Sequence, residues 1–455
     1  MFKKVLIANR GEIAVRIIRA CRELGIATVA IYSTADKEAL HVGLADETIC
    51  VGGEKTTDSY LNVENILSAA IHTHCDGIHP GFGFLSENSG FAQRVLQHGL
   101  IFIGPNPDII EMMGNKNKAR EIMINIGVPV VPGSDGVASS AQEGLKWAKT
   151  IGYPVLIKAA NGGGGKGMRI AEDVASFKSA YELAVSESKA SFGDDQVYLE
   201  KFIENPKHIE FQVIGDQHGN YVHLYERDCS IQRNHQKIIE EAPCQSLKEA
   251  VREKMVQDVL KAVKAIGYDN VGTFEFILDQ DQNHYFIEMN TRIQVEHPIT
   301  EMITGIDIIK EQIKVAAGYV LSVKQEDIKI NGYSIECRIN AEDPFNQFKP
   351  SSGTIETLIL PGGFGVRMDT AIYPKYTVSP FYDSLIAKLI VHDDTRLGCI
   401  HKMRGALEEL IIQGIKTNID FHYLIFHHLE YIEGLFDTGF VEKFLKELAE
   451  HERLT

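Results

Sequence analysis

The sequence predicts an α/β chain that becomes α+β in its later part, and three observations carry that reading. Near the N-terminus apolar strands alternate with amphipathic helices, which predicts a parallel sheet with helices on its faces. In the middle, strands at Gly272–Ile277 and Tyr285–Glu288 flank the short polar run Asp279–Asn283, which predicts an antiparallel hairpin. Towards the end, short β-like runs at Gly353–Leu358, Gly365–Met368 and Leu385–Val391 lead into two closing helices. At 455 residues, 44% of them apolar, the chain has material for about two to four domains with full cores.

Taken in order, residues 4–8 read as a buried strand, Asn9-Arg10-Gly11-Glu12 turns into a helix over about Ile13–Leu24, and Thr28–Tyr32 is the next strand. The G-x-G-x-x-G fingerprint is missing, so no dinucleotide is assigned. Helices near Val63–His74 and Gly90–His98 alternate with strands at Gly77–His79 and Ile101–Gly104. Between them, His79–Asn88 (HPGFGFLSEN) is a shaped loop at the sheet edge where such folds bind ligands, although a purely structural turn has the same composition. Pro105-Asn106-Pro107 marks a boundary, closing a first domain over 1–114.

A helix carrying Lys116, Lys118 and Arg120 opens the second domain, 115–330. Lys158 lies in the apolar strand Val155–Ala160, an unusual place for a charge unless something anionic meets it. Gly162, Gly163, Gly164, Gly165, Lys166 and Gly167 follow. Such glycines let backbone N–H groups converge on phosphate oxygens, although a flexible linker shares the composition. The strand Gln196–Lys201 ends in Glu200-Lys201-Phe202-Ile203, an edge able to offer backbone groups to an adenine ring. His208–Val213 alternates, with His208, Glu210 and Gln212 on a face that is either site-lining or solvated. Glu226–Lys237, dense in cations and amides and including Gln232 and His235, reads as a short loop before the strand Ile238–Glu241. A helix spans about Leu247–Ile266. In the hairpin Glu275 faces Glu288 across neighbouring strands, and two carboxylates that close repel unless a metal joins them. A boundary near Ser322–Asn331 opens the third domain, 331–455, whose first strand bears Arg338.

The chain is organised around Glu288–Glu296, closed by His297-Pro298. Read as an extended strand, it places Glu288, Asn290, Arg292, Gln294 and Glu296 on one face. Glu and Asn oxygens suit Mg²⁺ with phosphate, Arg292 suits a small oxyanion, and Glu296 beside that cation suits a base. A solvated strand face is the plain alternative. For Arg292 and Glu296 to meet on one anion, the chain must bend before Pro298, and the arginine would then lower the carboxylate's pKa.

Composition narrows the partners. A net charge of −16 argues against nucleic acid or an anionic membrane as main partner. Seven scattered cysteines without a C-x-x-C pair read as reduced thiols of a cytoplasmic protein. The N-terminus lacks a signal-peptide core, and no apolar run reaches the length of a membrane span.

Assembled, these motifs resemble the biotin carboxylase family of ATP-grasp enzymes from residue 2 to about 445. Ala8–Ala14, His79–Asn88, Gly162–Met168 and Glu288–Pro298 carry the likeness, and Arg292–Pro298 with Glu336–Asn340 narrow it to biotin-dependent carboxylation. The resemblance implies a Rossmann-like βαβ domain, an ATP-grasp domain with a small mobile lid over about 131–203, and a mixed β C-terminal domain. It implies that Glu275, Glu288 and Asn290 hold Mg²⁺ or Mn²⁺, two ions with ATP. Lys116, Lys158, Gly162–Gly165, Lys166, Gly167, Glu200, Lys201, Ile203, His208, Gln232 and His235 would contact the nucleotide. Lys237, Arg292, Gln294, Val295 and Glu296 would bind bicarbonate, with Glu296 deprotonating it for attack on the γ-phosphate. The resulting carboxyphosphate yields CO₂. Arg338 would stabilise an enolate-like biotin, held also by Phe82 and Gly83.

The family dimerises through positions matching Arg16, Arg19, Glu23, Phe364 and Arg367. Without an A-M-K-M segment or carboxyltransferase region, the chain is expected to serve a separate biotin carboxyl carrier protein and carboxyltransferase subunits. That is the first half-reaction of acetyl-CoA carboxylase in fatty-acid synthesis. Two departures stand out: Phe82 where the family usually has Tyr, and Asn234 where the basic loop usually has a second Arg. The alternatives are another ATP-grasp carboxylate–amine ligase and a catalytically silent nucleotide-binding subunit.

Overall fold

The computed structural model describes residues 1–159, 168–192 and 194–454. The N-terminal segment builds a parallel sheet of five strands in the order Glu47–Gly52, Ala27–Ser33, Lys4–Ile7, Gly77–His79, Ile101–Phe102. Its inner strands are largely apolar because helices cover both faces, and Val5, Leu6 and Ile7 are fully buried. The helix Gly11–Glu23 follows the first strand directly and packs Ile13, Ile17 and Ile18 into the core. Asn9, at that strand's end, donates from Nδ2 to the carbonyls of Pro80 and Phe82, both at 2.7 Å, and so pins the His79–Asn88 loop at the carboxyl edge. Gly81 is required there: its φ is +62°, and a Cβ would lie 2.9 Å from the Asn9 amide nitrogen.

A separate antiparallel sheet of three strands, Met168–Ala171, Val155–Ala159 and Val197–Lys201, is backed by the helices Ala141–Ile151 and Val174–Phe192. Val155, Ile157, Phe177 and Leu199 form its own small core. The largest sheet has eight strands in the order His284–Asn290, Asn270–Leu278, Lys207–Gly215, Tyr221–Arg233, Gln236–Ala242, Tyr333–Asn340, Leu385–Asp393, Val366–Thr370. It runs unbroken across residue 331, since Gln236–Ala242 pairs antiparallel with Tyr333–Asn340. Residues far apart in sequence are thereby aligned along one surface.

Three expectations need correction. Glu226–Lys237 is not a loop but the end of one strand and the start of the next, with Asn234 and His235 as a tight turn at φ 49° and 63°. A charge-rich run reads as solvated, yet Arg227 and Asp228 are buried because Glu210 and Lys207 pair with them. The turn also explains Asn234, since asparagine enters the left-handed region more readily than arginine. Secondly, the Glu288–Glu296 stretch is extended only as far as Asn290. Residues 291–296 leave the sheet in bends and a turn, and a helix starts at His297, with Pro298 in its first turn where a missing N–H costs nothing. Thirdly, four helices rather than two close the described chain, Arg396–Glu409, Ile419–His427, Leu429–Glu433 and Phe440–Leu454.

Candidate active site

A cleft of about 1500 Å³ opens between the three sheets. Every described residue expected at the site lines it: Phe82, Gly83, Lys116, Lys158, Glu200, Lys201, Ile203, His208, Gln232, His235, Lys237, Glu275, Glu288, Asn290, Arg292, Gln294, Val295, Glu296 and Arg338. Gly162–Gly165, Lys166 and Gly167 lie outside the described residues.

At one end Glu275 and Glu288 are direct register partners, as the short hairpin requires. Asn290 donates from Nδ2 to Glu275 at 2.8 Å, while its Oδ1 accepts from Arg292 at 2.8 Å. Lys116 Nζ lies 2.9 Å from Glu288, and His208 Nε2 lies 3.0 Å from Glu275. Burial alone would raise the Glu275 carboxyl, but Lys237 and His208 outweigh it and hold the group well below the usual range. Two carboxylates and an amide oxygen are a hard-oxygen set, so these residues fit Mg²⁺. Nearby, Lys158 pairs with Glu200, and Lys201 Nζ donates to the carbonyls of Gly152 at 3.1 Å and Tyr153 at 2.7 Å.

At the other end the bend before Pro298 is present, but it does not bring Arg292 to Glu296. Arg292 turns back instead, donating to Glu87 at 2.8 Å and to the Ile293 carbonyl at 3.2 Å. Glu296 is held by other cations, Lys237 at 2.7 Å on one oxygen and Arg338 at 2.9 Å on the other. Burial pushes its carboxyl up, yet Lys237, Arg338 and Arg227 together keep it well below the usual range. Hence Lys237 and Arg338, not Arg292, set the ionisation of this carboxylate. Lys237 also reaches Glu210 and Glu275, so one ammonium bridges three carboxylates. Gln294 donates from Nε2 to Glu275 at 2.7 Å, and the Val295 carbonyl accepts from the buried Lys388 at 2.8 Å. Arg338 Nε donates to the buried Glu240 at 2.5 Å.

Sequence reasoning missed Glu240, Arg227, Lys388 and the role of Glu87. Glu240 and Arg338 face each other only through the pairing of their strands, which no local pattern reveals. The arrangement can fix a triphosphate and its metal at one end, and at the other hold an ionised carboxylate between two cations. Fold and site together define an ATP-grasp enzyme, an ATP-dependent ligase.

The particular family follows from comparison with known proteins. Residues 1–110 match the family described as biotin carboxylase, N-terminal domain, and 336–443 match the biotin carboxylase C-terminal domain. Residues 115–324 match the carbamoyl-phosphate synthase L chain, ATP binding domain. Biotin carboxylase 1 of Bacillus subtilis is 54% identical over 445 residues, covering 98% of this chain and 99% of that one. The Campylobacter jejuni biotin carboxylase–β,γ-ATP complex superposes with a TM-score of 0.92 at 49% identity, covering 97% of this chain and 99% of that one. The biotin carboxylase domain dimer of Hydrogenobacter thermophilus 2-oxoglutarate carboxylase, in complex with MgADP, ADP and bicarbonate, gives 0.91 at 53% identity, covering 97% and 98%. The chain belongs to the biotin carboxylase family.

Proposed function

We propose that this chain carboxylates biotin with ATP and bicarbonate. The observation that carries the reading is Glu296, ionised between Lys237 and Arg338 in the same cleft as the Glu275, Glu288 and Asn290 oxygens. Lys116, Lys158, Gly162–Gly165, Lys166, Gly167, Glu200, Lys201, Ile203, His208, Gln232 and His235 bind the nucleotide. Glu275, Glu288 and Asn290 would hold Mg²⁺ or Mn²⁺, which would supply charge neutralisation for the phosphates. Lys237, Arg292, Gln294 and Val295 hold bicarbonate, and Glu296 removes its proton so that a bicarbonate oxygen attacks the γ-phosphorus and ADP leaves. Carboxyphosphate then breaks its carbon–oxygen bond to give CO₂ and phosphate. The phosphate takes the N1 proton of biotin, placed by Phe82 and Gly83, and N1 bonds to the CO₂ while Arg338 stabilises the enolate-like ring.

The segments 1–114, 115–330 and 331–455 act as N-terminal, ATP-grasp and C-terminal domains, with 131–203 as the lid. The chain works in the cytoplasm as a homodimer, through Arg16, Arg19, Glu23, Phe364 and Arg367. It supplies a biotin carboxyl carrier protein and carboxyltransferase subunits in acetyl-CoA carboxylation for fatty-acid synthesis. Phe364, 97% exposed, supports the dimer, and among the described residues no helix is long and apolar enough to cross a membrane. Bicarbonate-dependent ADP release measured with and without biotin tests the activity. Release that needs an amine and ignores biotin would overturn it.

A further inference from the structure

Beneath the cleft lies a guanidinium that the reaction scheme leaves unused. Arg227 is fully buried, and all five of its N–H groups are engaged. Nε donates to Glu210 at 2.5 Å, and Nη1 donates to Gln212 and Thr300, both at 2.9 Å. Nη2 donates to Thr273 at 3.2 Å and to Gln294 at 2.6 Å. A guanidinium has donors and no acceptor, so the Gln294 atom facing it must be the amide oxygen. The Gln294 nitrogen is then turned the other way, where it meets Glu275 at 2.7 Å on the floor of the cleft. Glu210 is divided likewise: one oxygen accepts from Arg227 and the other from Lys237, the ammonium that faces Glu296.

We infer that Arg227 is a positioning residue that sets the polarity of the bicarbonate pocket, committing the Gln294 carbonyl downward and anchoring Lys237 through Glu210. The Gln294 amide then presents its N–H side, not its carbonyl, to the cleft. This deepens the proposed function and rests on it. An apolar or differently oriented floor would leave the Gln294 oxygen free to face bicarbonate and repel it.

The test is the bicarbonate KM of the full-length Arg227→Lys variant beside its equilibrium affinity for ADP with Mg²⁺. An ammonium keeps the charge but offers at most three donors to five acceptors. The bicarbonate KM should rise about tenfold or more while nucleotide affinity is unchanged. A folded variant with wild-type bicarbonate KM, or with nucleotide affinity lost in parallel, would overturn the inference. Should the lysine variant fail to fold, Thr273→Val with Thr300→Val strips two acceptors from the same guanidinium without touching substrate. It should raise the bicarbonate KM by about threefold or more, again selectively, and an unchanged KM would overturn the inference. Wild-type chain run alongside separates the failures. No bicarbonate-dependent turnover there contradicts the proposed function and the inference with it, whereas turnover with an unmoved variant KM contradicts the inference alone.

Discussion

Replacing Lys237 by methionine removes one charge and keeps nearly the same length, so its effect isolates the ammonium. At 2.7 Å from Glu296, and with an effective dielectric constant of about 20, the attraction is about 6 kcal/mol before desolvation is counted. Arg338 remains on the other oxygen, so the net loss is nearer the cost of breaking one buried pair, about 3–5 kcal/mol. Glu210, Glu275 and Glu296 would be left close together with their shared cation gone, and at least one would take up a proton. The sign follows. The Glu296 carboxyl, now held low, moves up, and its ionised form is lost as pH falls toward neutrality. The pH profile of bicarbonate-dependent ADP release, with circular dichroism as a check on folding, measures this. Turnover near neutral pH should fall by about a hundredfold or more and recover in part at alkaline pH. A folded variant whose acid limb coincides with that of wild type would refute the reasoning.

Glu288→Gln should abolish Mg²⁺-dependent ATP turnover yet fold normally, since the group faces the cleft and, among the described residues, pairs with Lys116 alone; wild-type turnover at ordinary Mg²⁺ would sink the metal assignment. Arg338→Ala should reduce carboxybiotin formation by about a hundredfold and biotin-independent ATP cleavage by less, because Lys237 still holds Glu296; equal losses in both would mean that Arg338 acts only through Glu296. Glu240 is pushed up to about 7, chiefly by burial and also by the Glu296 charge, against the pull of Arg338. The folded state therefore holds this proton after the unfolded chain has lost it, and stability falls as pH rises from about 4 through about 7. Glu240→Gln should remove that fall, worth roughly 3 kcal/mol, and flatten the thermal-unfolding midpoint between about pH 5 and about pH 8. An unchanged slope would mean Glu240 is already ionised at the lower pH.

What the sequence made legible depends on distance along the chain. The Glu275–Glu288 pairing was readable because a short hairpin fixes register and side chains alternate with period two. The parallel N-terminal sheet and its cleft-facing loop were readable for a similar reason, since strand, turn and helix are contiguous. The partners of Glu296 were not. Alternation was carried past Asn290, where the backbone leaves the sheet, and so pointed to Arg292. The cations that arrive come from Lys237, 59 residues away, and Arg338, 42 residues away, both delivered by the order of strands in the large sheet. Arg227 escaped notice because a buried arginine and an exposed one look alike until their acceptors are known.

The most direct test of the account is transfer of label from carbon-labelled bicarbonate to free biotin, with ADP measured in the same reaction. The account predicts acid-labile label on biotin that requires ATP. Glu296→Ala should lose both the label and bicarbonate-dependent ADP while still binding nucleotide, because the Glu275, Glu288 and Asn290 end of the cleft is untouched. ADP formation by wild type without label on biotin, or label transferred by Glu296→Ala with normal bicarbonate dependence, would contradict it.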